Sequence, residues 1–157
     1  MHIAELAKEM NDKGISFSPD GRADLDRAGA AVLEIVALAQ CALEKSDMEE
    51  ARKVEPLEEV ISVMLEGVKL RHIRRLQSGA CTLEMGFVFN DLLTDFERVA
   101  AHCSKVALAV LELRYSDLQF HDYTRGVRQG DQPEFRRWLA YYQEKYLTPE
   151  PPALAAD

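Results

Sequence analysis

Phe89, Leu92, Phe96, Val99, Cys103, Val106, Val110 and Leu113 follow one another at alternating steps of three and four residues. A strand cannot use that spacing, because its side chains change sides at every residue, whereas an α-helix returns to the same face every 3.6 residues. The eight side chains therefore share one stripe, and a stripe that long needs other apolar surfaces to cover it. Two earlier segments supply them. Leu25, Ala28, Val32, Ile35, Ala39 and Ala42 repeat the pattern, and so do Val54, Leu57, Ile61, Met64 and Val68. Such seams belong to left-handed helical bundles. No segment keeps a period of two for long enough to form a strand.

Local signals set the boundaries. Ser18 before Pro19 reads as a helix cap with a first-turn proline. Ser46 with Glu49 three residues on reads as a capping box, which makes the connection between the first two helices very short. Gly79 closes the second long helix, and Thr82 or Cys81 opens the third. Helices are expected over residues 19–44, 47–77 and 82–114. Short links make neighbours antiparallel. The fold class is therefore all-α, an antiparallel three-helix bundle with a shorter fourth C-terminal helix near 133–146. Phe135, Trp138, Leu139, Tyr142 and Tyr146 lie on one side of that fourth helix, a stripe suited to packing on the bundle. Residues 116–132 read as a polar connection and 148–157 as a tail. Residues 1–13 read as the end of a preceding helix stopped by Gly14, with Ile3, Leu6, Ala7 and Met10 on one face.

The second helix begins acidic (Asp47, Glu49, Glu50, Glu55, Glu58, Glu59) and ends basic (Lys69, Arg71, Arg74, Arg75). This polarity complements the helix dipole, worth a few tenths of a kcal/mol per charge; anion binding at the basic end is the alternative. The whole chain of 157 residues carries a net charge of −8, which argues against a general nucleic-acid or anionic-membrane binder. Cys41, Cys81 and Cys103 show no metal-finger spacing, and so sparse a set fits a reducing compartment. The longest apolar run, AAVLEIVALAQCAL, contains Glu34 and falls short of the ~20 residues that span a bilayer.

Two stretches carry a family resemblance: GISFSPDG before the first long helix, and RHIRRLQSGACTLEMGFVFNDLLTDFERVAAHCSKVALAVLE across the second and third. Together, residues 14–115 resemble the PhoU-like C-terminal cytoplasmic domain of bacterial sodium/phosphate cotransporters, a spectrin-repeat-like bundle. In that family a domain holds two three-helix repeats. The resemblance implies that HIAELA ends a first repeat, and that the present chain is one excised soluble half. The family is also known for E/D-x-x-x-D motifs that hold clusters of iron or other divalent ions. The matching positions here read Glu58-x-x-x-Ser62 and Glu97-x-x-x-Ala101, so the second acid of each pair is gone.

Asp91, Asp95, Arg98 and His102 fall at i, i+4, i+7 and i+11 and make a polar stripe beside the seam. Asp91 and Asp95 have the spacing of metal ligands, and His102 could add a nitrogen. The plainer reading is a structural network of Asp95, Arg98 and His102 as neighbours on one helix, or with His72 or Arg71 of the second helix. The candidate metal residues are thus Asp91, Asp95, Glu97, His102 and Glu58, with no cofactor expected beyond a weakly bound divalent ion. No nucleophile–base set, phosphate-cradling glycine loop or zinc motif is present, and the chain is not expected to be an enzyme.

The resemblance implies a regulatory domain at the cytoplasmic face of the inner membrane, partnered with the membrane transporter domain of its parent protein and involved in phosphate uptake or its regulation. The alternatives are a free-standing phosphate-signalling adaptor for a transporter or sensor kinase, and a divalent-metal-binding helical bundle. No nucleic acid and no direct membrane insertion are expected. A homodimer through the N-terminal strip of Ile3, Leu6 and Met10 is expected, because the missing repeat would leave that surface open.

Overall fold

A computed structural model describes residues 3–14, 16–115, 117–129 and 132–147, and its regular elements are all helices. They are α1 (Ile3–Lys13), α2 (Pro19–Lys45), α3 (Met48–Gln77), α4 (Leu83–Arg114), α5 (Asp117–Gln129) and α6 (Pro133–Tyr146). α2, α3 and α4 pack against one another pairwise; α6 lies mainly on α3, α1 on α4, and α5 on α4. Cross-contacts fix the directions. Asp24 near the start of α2 meets Arg75 near the end of α3, and Glu55 near the start of α3 accepts from Ser104 near the end of α4. Adjacent long helices therefore run in opposite directions.

The caps explain why the links are so short. Ser18 Oγ accepts from the Gly21 N–H at 3.2 Å and Pro19 follows it, so α2 starts as the sequence indicates. At the other end the capping-box expectation is corrected. Ser46 sits at φ 52 and terminates α2, while the Asp47 N–H returns to the Ala42 carbonyl at 3.0 Å. The cap of α3 is Asp47, whose Oδ1 accepts from the Glu49 and Glu50 N–H groups at 2.9 and 3.3 Å. Gly79, at φ +72, ends α3 in the pattern of a Schellman motif: Ala80 N–H reaches the Arg75 carbonyl and Gly79 N–H the Leu76 carbonyl. Thr82 Oγ1 then caps α4 by accepting from Met85 N–H.

Every seam residue expected on α2 and α3 is buried. Along α4 the buried face is offset from the expected stripe. Phe89, Leu92, Cys103 and Val110 are buried, but Phe96, Val99 and Val106 are only half-buried, and Leu113 is 85% exposed. Leu93, Ala100, Ala107 and Leu111 take the innermost places. Leu93, Ala100 and Ala107 are themselves seven residues apart, so the repeat is kept and the centre of the buried face lies one position on from Leu92, Val99 and Val106. Each fully buried Leu or Ile contributes about 1.5–3 kcal/mol to this core.

Two further expectations are corrected. The stretch after Tyr115 is a helix, α5, and Tyr123 buries its ring while Phe120 and Val127 pack on the core. The N-terminal strip is folded back as α1: Leu6 is fully buried and Met10 half-buried, so only Ile3 of the three remains exposed. That removes most of the open surface on which the homodimer expectation rested.

α6 buries Phe135, Tyr142 and Tyr146 as its aromatic stripe suggests. Polar ties hold it at both ends. Lys145 donates to Glu34 at 2.8 Å, and the Tyr146 hydroxyl donates to the same carboxylate. At the other end, Arg52 reaches Glu134 at 3.5 Å and Lys53 lies 4.9 Å over the Trp138 ring. Burial, with Glu34 adding to it, pushes the Tyr146 phenol up to about 12. Among the described residues, no helix is long and apolar enough to cross a membrane.

Candidate functional site

The densest polar cluster lies where α2 begins, α3 ends and α4 begins. Asp24 shares the core face of α2 with Leu25 and Ala28 and is only 6% exposed. A carboxylate buried alone would cost several kcal/mol. Two arginines one turn apart on α3 meet it. Arg71 donates from Nε and Nη2 to Oδ1 at 3.0 and 2.8 Å, and Arg75 from Nη1 to Oδ2 at 2.9 Å. The basic end of α3 therefore does more than complement a dipole: two of its charges clamp the first turns of α2.

Aromatic and small residues shape the surroundings. Arg75 lies over the Phe89 ring at 5.4 Å, His72 stacks on Phe89 at 4.3 Å, and Phe17 meets Phe89 edge-on at 5.5 Å. Gly86 makes room for the imidazole, since a Cβ there would come within 3.4 Å of His72 Nε2 and 3.2 Å of the Leu76 side chain. His72 Nε2 and Arg75 Nη2 are buried without a hydrogen-bond partner. Burial first, and the charge of Arg75 second, hold the His72 pKa below its ordinary value, so the ring is neutral at pH 7. The cluster thus offers fixed positive charge beside a neutral imidazole. Ser18, the nearby hydroxyl, is engaged in capping α2.

The residues singled out as candidate metal ligands lie on the outer side of α3 and α4. Glu58 is half-buried. Its carboxyl pKa is raised by burial first and then by the charges of Glu55, Glu59 and Glu97. Glu97 itself is exposed and accepts from Lys69 at 3.0 Å. Asp91 and Asp95 are half-buried, and His102 is exposed. Asp95 Oδ2 is buried with no partner, so that oxygen takes no part in the expected Asp95–Arg98–His102 network. Among the described residues, no group of three or more His, Cys, Asp or Glu side chains converges closely enough to hold a metal ion.

Sequence reasoning named Arg71 and Arg75 as part of the basic end of the second long helix, and Arg71 and His72 as alternative partners for the polar stripe of α4, but it missed Asp24 and the pairing of Asp24 with Arg71 and Arg75. A signal was present. Gly21, Asp24, Ala28, Ala31 and Ile35 fall in one helical phase, so an acid stood on the core face of α2 and required a buried cation.

These features define a class: an all-helical protein whose long antiparallel helices are tied at one end by a buried salt-bridge cluster and carry carboxylates on an outer groove. The sequence narrows the class. A PhoU domain matches residues 25–110, which run from Leu25, just after Asp24 on α2, to Val110 near the end of α4 and cover more than half of the chain. The chain belongs to the PhoU family. Neither a curated protein nor a solved structure matches it.

Proposed function

We propose that this protein is the cytoplasmic regulatory domain of a sodium-dependent phosphate cotransporter and takes part in phosphate uptake or its regulation. The observation that carries the reading is the PhoU match over residues 25–110, since that family implies a role in phosphate homeostasis or signalling. GISFSPDG and the run from Arg71 to Glu112, which resemble the transporter-borne domains, support the narrower setting. On this reading α2, α3 and α4 are one PhoU-like three-helix repeat. The partner is the membrane transporter domain of the parent protein, at the cytoplasmic face of the membrane. The chain works as a binding and signalling element, not as an enzyme, and needs no resident cofactor. With Ser62 and Ala101 in place of acids, Glu58 and Glu97 lack the partner carboxylates of the family motif, and the Asp91–Asp95 pair holds at most one divalent ion weakly.

A free-standing adaptor that docks on a transporter or a sensor kinase is the second reading, equally consistent with the family. Site-specific photo-crosslinking separates the two. With a crosslinker at exposed positions of α3 and α4, such as Glu66 and Thr94, in cells of the source organism, a covalent product with a sodium/phosphate transporter supports the first reading. A product with a sensor kinase supports the second. Absence of both overturns the proposal.

A further inference from the structure

Beside its buried face, α4 carries a second seam. Val99, His102, Val106, Ala109 and Leu113 follow one another at steps of three, four, three and four. Val99 and Val106 are half-buried, while His102, Ala109 and Leu113 are exposed. α2 has a counterpart in Leu33, Val36, Gln40 and Leu43, at steps of three, four and three, and all four are exposed, Leu33 to 73%. α2 and α4 are both antiparallel to α3, so they run in the same direction. Leu33 and Phe96 line one groove between them, which places the two seams side by side on one outer face. α1 sits at the end of this face nearer the start of α2, where Met10 lines the same groove. Further along α4, Arg98 and His102 are exposed, so α1 leaves the rest of the face uncovered. Exposed apolar surface of this extent marks an interaction site, and its heptad spacing suits other helices.

Charge selects the partner. With Val99, Val106 and Leu113 at heptad position a and His102 and Ala109 at d, the g positions are Arg98, Lys105 and Glu112. All three are exposed, and among the described residues none of them is held by an ion pair. In an antiparallel pair of heptad helices, each g position faces a g position of the partner. Arg98 and Glu112 each lie seven residues from Lys105. A two-fold axis beside Lys105 therefore sets Arg98 of each copy against Glu112 of the other. Lys105 meets its own copy there, and its long stem lets the ammonium lean into solvent. A parallel pairing would set g against e, and the e positions, Cys103 and Val110, carry no such complement.

α2 arrives at the same axis independently. Leu33 and Leu43 each lie five residues from Leu38, and Val36 and Gln40 each lie two from it. A Cβ on Gly29 would lie 3.9 Å from the Phe96 ring, so those two residues stand level; nine residues further along their helices come Leu38 and Lys105. One axis thus stacks Leu33 on Leu43 of the second copy and Val36 on Gln40, while it pairs Arg98 with Glu112. An isologous contact requires a surface complementary to itself, and this face is so in apolar spacing and in charge.

We propose that the outer face of α2 and α4 binds a second copy of this chain, with the two α4 helices antiparallel and Arg98 paired with Glu112 across a two-fold axis at Lys105. This face is separate from the N-terminal strip, and it is available whichever partner the domain serves.

Sedimentation equilibrium on the full chain, from micromolar to submillimolar concentration, tests the proposal. A monomer–dimer equilibrium is expected, weakened by added salt because the rim pairs are screened. Leu33→Glu and Ala109→Glu, both at exposed positions, should remain helical by circular dichroism and stay monomeric throughout. Arg98→Glu and Glu112→Arg should each weaken dimerisation about tenfold, since each turns two attractive pairs into two repulsive ones. An equimolar mixture of these two variants should associate at least tenfold more tightly than either alone, because each then supplies the charge that the other lacks. The double variant Arg98→Glu/Glu112→Arg should recover most of the lost affinity. A chain that stays monomeric over the whole range overturns the proposal, and so does a dimer that survives Leu33→Glu and Ala109→Glu unchanged. A mixture no tighter than its separate variants overturns the antiparallel pairing.

Discussion

Asp24→Ala tests the clamp as a structural tie. Asp24 is 6% exposed and accepts three charge-assisted hydrogen bonds, two from Arg71 and one from Arg75. Removing one partner of a buried ion pair costs about 3–5 kcal/mol, because the remaining charge stays out of water without compensation. Two charges are stranded here, but unequally. The Arg75 side chain is 13% exposed and cannot readily hydrate, whereas that of Arg71 is 31% exposed and can turn to solvent. The loss should therefore fall at the lower end of the range, about 3 kcal/mol. For a chain of this length, that is a drop of roughly 6–12 °C in the unfolding midpoint. Urea denaturation of the variant beside Asp26→Ala gives the cleanest comparison. Asp26 pairs with Arg22 at 3.3 Å, but both side chains are about two-thirds exposed or more, so its removal should cost less than ~1 kcal/mol. Asp24→Asn/Arg75→Met should recover part of the loss by removing the stranded charge along with its partner. If Asp24→Ala and Asp26→Ala have the same denaturant midpoint, the clamp is no more than a surface pair and the reasoning fails.

Other expectations follow from burial and from the direction of the pKa shifts. Leu93→Ala should cost about 2–5 kcal/mol and Phe96→Ala less, because Leu93 is 1% exposed and Phe96 is half-buried beside an open groove; the reverse order in urea midpoints would show that the α4 register is misplaced. The His72 pKa is depressed in the folded state, so below about 6.5 the unfolded chain binds the extra proton and stability should fall as the pH drops; His72→Phe should flatten that fall in unfolding free energy, and an unchanged slope would reject the assignment. Glu58 has a raised pKa, so its contribution is fully present below about 4.3 and lost as the pH rises through the folded value. Glu58→Gln should consequently stabilise the protein at pH 7 and make little difference at pH 4, and a destabilised variant at pH 7 would indicate that the carboxylate has a favourable partner.

Much of the fold was legible because the long helices bury apolar residues in a regular phase, and every seam residue foreseen on α2 and α3 is inside. The offset along α4 was hidden because Val99 and Val106 are larger and more apolar than their neighbours Ala100 and Ala107, which take the inner places. α5 was hidden for a different reason. Among the side chains described in α5, Phe120, Tyr123 and Val127 pack on the core, and most of DLQFHDYTRGVRQ is polar, so tertiary packing contributes to its conformation where local pattern is weak. Ser46 and Asp47 are adjacent capping residues; the left-handed backbone of Ser46 passes the capping role to Asp47, and sequence alone does not rank them. Glu58 and Glu97 came from the resemblance to the family's acidic motif and Asp91, Asp95 and His102 from their spacing; among the described residues no three such side chains converge. The Asp24–Arg71–Arg75 cluster depends on which helix ends meet, information that enters only once the antiparallel pairing is laid out in space.

The most direct test of the central claim is phosphate uptake in cells of the source organism, measured with labelled phosphate in the presence and absence of sodium, with the chain deleted and then restored. A regulatory domain of a sodium-coupled phosphate transporter predicts that the sodium-dependent component loses its normal response to external phosphate on deletion and regains it on complementation. Sodium-dependent uptake that keeps the same rate and the same response without the chain would contradict the account.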